Sequence, residues 1–155
     1  MKKLLVAGVF SSILFLAAGK CSYAETTFIA GLIDNFHKAT DLQREQILKD
    51  NLGKEVAASG KVSNVGEYDF YDMASDIKGT YYQAVTVPQR TEANVVYQLI
   101  FLFKDKDKAK DINKGQEIRK DCKIIRILDE RLQITVWLFY GEMDEGDNAL
   151  MKQAG

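Results

Sequence analysis

Val95-Val96-Tyr97-Gln98-Leu99-Ile100-Phe101-Leu102-Phe103 is the run whose reading decides the fold. Every residue but Gln98 is apolar, and β-branched and aromatic types dominate, as in strands. Asn94 precedes the run and the charged stretch from Lys104 follows it. A short apolar run bounded in this way reads as a strand. With a period of two, Val95, Tyr97, Leu99, Phe101 and Phe103 share one face, and Val96, Ile100 and Leu102 share the other. Both faces are apolar, so the sheet that holds this strand must be covered on both sides.

Working outward, the same alternation recurs in Gln133–Glu142. Ile134, Val136, Leu138 and Tyr140 face one way, and Thr135, Trp137 and Phe139 the other. Glu117–Leu128 is a further strand, entered by the turn Lys114-Gly115-Gln116 and left by the turn Asp129–Leu132. Lys104–Asn113 alternates Lys and Asp and reads as a solvated loop or short helix. On the other side, Gly79–Val87 is a strand with Tyr81, Val85 and Val87 on one face, and Pro88–Asn94 is its following turn. Lys54–Val65 is the first strand, and Gly60 in its middle marks a bulge or a sharp bend. Gly66–Lys78 is polar, carries Tyr68, Phe70 and Tyr71, and reads as a loop or an irregular strand end.

Before the strands the period is helical. Phe28, Ile29, Leu32, Ile33 and Phe36 lie on one helix face. Thr40 with Gln43 fits a capping box, opening a second helix over Asp41–Leu52 with Leu42, Ile47, Leu48 and Leu52 as its apolar positions. Gly53 is placed to end it in the left-handed conformation. The order is therefore a helical segment, three strands, a connector and two strands. Five strands cover both faces of such a sheet only by curling, so the expected fold is mainly β, a small five-stranded barrel with an N-terminal helix. An open antiparallel sheet with the helix on one face is the alternative.

Residues 1–24 carry the pattern of a secretory signal peptide. Lys2 and Lys3 precede the uncharged apolar run Leu4–Ala18, and Ser22-Tyr23-Ala24 has the small-x-small form of a cleavage site. The apolar run is shorter than the roughly 20 residues that a membrane-spanning helix needs. Cys21 follows Lys20, where a lipidated cysteine wants a small residue. The expectation is an exported, periplasmic or secreted chain that starts at Glu25 and has no membrane span. The whole chain has 21 basic and 22 acidic residues. Cleavage removes Lys2, Lys3 and Lys20 and no acid, leaving 18 against 22, a formal charge of −4. That balance opposes nucleic acid and anionic lipid. Cys122 is then the one remaining cysteine, in a strand, and reads as a buried apolar residue.

Leu52-Gly53-Lys54-Glu55-Val56, Ser59-Gly60-Lys61-Val62 and Lys114-Gly115-Gln116-Glu117-Ile118 resemble the strand openings of the tRNA-anti-like group of bacterial OB-fold proteins. Lys120-Asp121-Cys122 departs from that group, which often has a glycine there. The resemblance covers Asp41 to about Tyr140 and implies an OB-type barrel, a fold that hosts many functions. The division of the chain is then residues 1–24 as signal peptide, 25–52 as helical segment, 53–142 as OB-fold-like domain and 143–155 as acidic tail.

No catalytic signature accompanies this frame. His37 is the single histidine and has no ligand partners at a useful spacing. No Gly-x-Ser-x-Gly elbow is present. Glu142, Asp144, Glu145 and Asp147 lack the frame of a calcium loop, and the lysines within Asp105-Lys106-Asp107-Lys108 oppose a cation. No cofactor and no metal are therefore expected. OB-type barrels hold ligands on their second and third strands, with aromatic side chains as platforms. Tyr68, Tyr71, Tyr82, Arg90, Tyr97 and Trp137 are the candidate contacts. The leading expectation is a non-catalytic binding module for a protein segment, a glycan or a small molecule. The alternatives are a single-stranded nucleic-acid binder, which requires Lys61, Lys78, Arg90 and Lys104 to converge near the aromatics, and an enzyme built on acids such as Asp69 and Asp72.

Overall fold

The computed structural model describes residues 22–68, 79–147 and 150–151. Two helices come first, α1 (Ser22–Lys38) and α2 (Asp41–Asn51). The backbone N–H of Thr40 donates to Gln43 Oε1 at 2.9 Å, one half of the capping box that starts α2. Leu52 ends the helix, and Gly53 follows at φ +77°. There its N–H donates to the Ile124 carbonyl at 2.7 Å and leads the chain into the sheet.

Six strands follow: β1 (Glu55–Tyr68), β2 (Tyr81–Thr86), β3 (Gln89–Arg90), β4 (Val96–Phe103), β5 (Glu117–Glu130) and β6 (Gln133–Tyr140), with α3 (Lys106–Lys110) between β4 and β5. β1 pairs antiparallel with β5 as far as Lys61 and with β2 from Val62 onward. β2 pairs antiparallel with β4, β4 parallel with β6, and β6 antiparallel with β5. The hydrogen bonds thus pass through five strands and return to β1. The open-sheet alternative does not describe this ring. β3 is a sixth strand inside the expected turn. After Pro88, Gln89 and Arg90 pair with Tyr97 and Val96 before the chain reverses at Thr91–Asn94.

Gly60 sits where β1 changes partners. A Cβ there would lie 2.7 Å from Thr86 Cγ2 and from Gln89 Nε2, so only a glycine lets β1 pass this close to the end of β2. The Lys114–Gly115 turn locks the same place, since Gly115 N–H donates to the Val62 carbonyl and Val62 N–H to the Gln116 carbonyl, both at 2.8 Å.

The inner cluster is built from alternate residues of the strands. Tyr97, Leu99, Phe101 and Phe103 of β4 meet Ile134, Val136 and Leu138 of β6. A register shift between Ile124 and Arg126 reverses the parity of β5, so that Ile124 and Ile127 both face inward and Ile125 outward. Ile29, Leu32, Ile33 and Phe36 of α1 join the inner cluster, as do Ala109 and Ile112 at α3. Phe28 and Leu42, expected on apolar helix faces, are exposed. Cys122 is buried in the inner cluster. Burial pushes its thiol up to about 12, so at neutral pH it is protonated and a poor nucleophile. Among the described residues no helix is long and apolar enough to cross a membrane.

Candidate functional site

The outer face of the ring carries a second apolar cluster. Tyr81 of β2, Ile100 and Leu102 of β4, Ile125 of β5, and Trp137 and Phe139 of β6 are all buried there. Tyr81 and Phe139 meet edge to face, with ring centroids 6.2 Å apart. The tail packs onto this cluster. Leu150 is fully buried in it, and Met143 and Met151 pack against its margin. The stretch that reads from the sequence as an acidic tail thus lies partly inside the fold. The physical reason is the carboxylate of Asp147, also fully buried. It accepts the Tyr81 hydroxyl, the Lys104 ammonium at 3.3 Å and the Asp144 backbone N–H at 2.8 Å. A buried carboxylate is tolerable only when its lone pairs are met in this way. Lys104 also pairs with Asp144, whose carboxyl it holds below its ordinary value, and Asp144 in turn raises Lys104.

Five of the six residues read from the sequence are distributed over three environments. Tyr97 faces inward, is 4% exposed, and its hydroxyl donates to Gln89 Oε1 at 3.1 Å; burial raises its pKa. Tyr82 packs half-buried against the inner cluster. Trp137 and Tyr68 belong to the outer cluster. Arg90 is exposed and donates to Asn94 Oδ1 at 2.8 Å, beside the start of β4. Tyr71 lies outside the described residues. Among the described residues, the cations required for a basic stripe do not gather. Lys104 is engaged by Asp144 and Asp147, Arg90 lies at the opposite end of β4, Lys61 is on β1, and Lys78 lies outside the described residues.

A different basic group forms at the α3 end. Lys106 Nζ lies 5.7 Å from the Tyr82 ring centroid, and Lys108 and Lys120 lie 5.5 and 4.8 Å from that of Tyr140. Ammonium groups are attracted to such ring faces. Phe103 packs edge to face on Tyr140, with centroids 5.6 Å apart. Beside them runs a cleft of about 430 Å³ lined by Lys108, Lys120, Tyr140, Arg119, Asp111 and Glu117, among others. From the sequence, Lys106 and Lys108 read as part of a solvated connector and Lys120 as a strand residue. Their spacing signals nothing by itself, because the tyrosines they cover come from β2 and β6. At the other end, a cleft of about 290 Å³ is lined by His37, Asn94, Arg131 and Leu132, among others. Among the described residues no group of three or more His, Cys, Asp or Glu is placed to hold a metal ion.

No family model matches this chain, and no curated protein matches it.

Proposed function

We propose that the chain is an exported, non-catalytic binding module of the OB type, whose ligand is a protein segment, a glycan or a small molecule. The strand order carries this reading. Five strands close in the order β1–β2–β4–β6–β5, a bent β1 serves two neighbours, and a short helix lies between the third and fourth strands of the ring. That arrangement fits a small Greek-key barrel that binds through its second and third strands, here β2 and β4. The short sequence motifs shared with the tRNA-anti-like group support the same class, and the pattern of residues 1–24 supports export. Fold alone does not supply a ligand. The apolar and aromatic outer face of β2, β4 and β6 favours an uncharged or amphipathic one.

Lysines seated on Tyr82 and Tyr140 favour a second reading, a single-stranded nucleic-acid binder. The formal charge of −4 from Glu25 onward opposes it. Fluorescence anisotropy of a labelled single-stranded oligonucleotide separates the two. The leading reading predicts no saturable binding at physiological salt. Saturable binding that weakens steeply with salt, and is lost in Lys108→Gln/Lys120→Gln, replaces it with the second.

A further inference from the structure

Trp137 is the single tryptophan of the chain. It is 7% exposed, and its indole N–H meets no acceptor among the described residues. The Arg126 guanidinium lies 5.2 Å from its ring centroid. Indole is a donor only, and a buried donor left unmet is unfavourable. The outer face is therefore incompletely satisfied by what now covers it. Its described cover, residues 143–147 and 150–151, forms no strand with the ring. It holds on through one buried apolar side chain, Leu150, and one buried carboxylate, Asp147, three residues earlier. The groups that receive the carboxylate, the Tyr81 hydroxyl and the Lys104 ammonium, belong to the ring end of β2 and β4. An apolar anchor and a carboxylate meeting a fixed hydroxyl and a cation are the contacts of a docked peptide.

We infer that the outer face of β2, β4 and β6 is a docking surface for an acidic peptide segment of a protein partner, with an Asp-x-x-Leu spacing, and that Asp147 and Leu150 of the tail occupy it in the free chain. This rests on the binding-module reading and selects the protein segment among its ligands. Charge complementarity supports that occupant, since Lys104 and Arg126 flank an otherwise apolar face. A tethered tail competes at a high effective concentration. A partner wins by supplying, besides the two anchors, an acceptor for the Trp137 indole N–H.

The test uses the full chain with Asp147→Asn/Leu150→Ala, which releases the tail, and a synthetic peptide of residues 142–155. Trp137 emission is the readout. The variant emits further to the red than the natural chain, and added peptide reverses the shift saturably. The natural chain responds at least about tenfold more weakly, because its own tail competes. A peptide with the same Asn and Ala replacements gives no response. A folded variant that ignores the peptide overturns the docking surface, and so does equal response to the replaced peptide or equal affinity of the natural chain. Tyr81→Phe removes one hydroxyl and serves if the double variant fails to fold. Its affinity for the peptide must then fall between those of the natural chain and zero response, and no response again overturns the proposal. Failure here leaves the binding-module reading to the oligonucleotide titration, which does not involve this face.

Discussion

Gly60→Ala is expected to destabilise the chain by about 1–3 kcal/mol, the usual cost of forcing a methyl group into filled space. The new Cβ would stand 2.7 Å from Thr86 Cγ2. Thr86 cannot move away freely, because it is fully buried and its hydroxyl links β2 to Leu99 of β4, accepting from the Leu99 N–H at 3.0 Å. The damage falls on the seam where β1 leaves β5 for β2. Gly66→Ala in the same strand is the matched control. A Cβ at Gly66 meets nothing within 4 Å, so its effect stays below about 1 kcal/mol. Urea unfolding of both variants, with unchanged slopes, measures the difference. Equal stabilities would mean that β1 does not pass close to β2 at Gly60.

Leu150→Ala is expected to cost about 2–5 kcal/mol, the range for removing a fully buried leucine from a packed cluster. The magnitude discriminates because truncating a leucine of a solvated tail costs almost nothing, whereas Leu150 is fully buried. Leu132→Ala at the β5–β6 turn, where the leucine is 90% exposed, changes stability by less than about 0.5 kcal/mol. The same denaturation measurement compares the two. A cost at Leu150 as small as that at Leu132 would place the tail in solvent and leave the outer face bare.

Much of the ring was legible because alternation is a local signal. The two faces of β4 and β6 follow from period two alone, but which of them turns inward does not; the face carrying Tyr97, Leu99, Phe101 and Phe103 does. Gly53 and Gly60 were legible as a helix stop and a bend, and the capping residues Thr40 and Gln43 as a helix start. What stayed hidden depends on partners remote in sequence. The tail reads as acidic and polar, because nothing near Asp147 announces that Tyr81, 66 positions away, will receive its carboxylate. Likewise the connector lysines reveal no purpose until Tyr82 and Tyr140 are brought beside them. The extension of β1 to Tyr68 was legible only as a loop or an irregular strand end, for a different reason. The shift at Val62–Asn64 breaks the alternation there, so Val65 packs toward the inner cluster and Tyr68 toward the outer one.

The candidate residues divide by the same logic. Tyr97 and Trp137 were singled out as aromatic strand residues, and aromatic strand residues are also what cores are made of. Only their facing decides between the two uses. Tyr97 faces the interior, whereas Trp137 faces outward beneath a cover that leaves its N–H unmet.

The claim on which the functional reading depends is that the ring closes through β2 and β4. Amide hydrogen exchange on these two strands tests it most directly. The account predicts that the ladder joining Tyr82–Val85 to Ile100–Phe103 is protected to the same degree as the β5–β6 ladder, since both belong to one cooperative unit. Rapid exchange of the β2–β4 amides beside a protected β5–β6 pair would mean an open sheet, and would contradict the account.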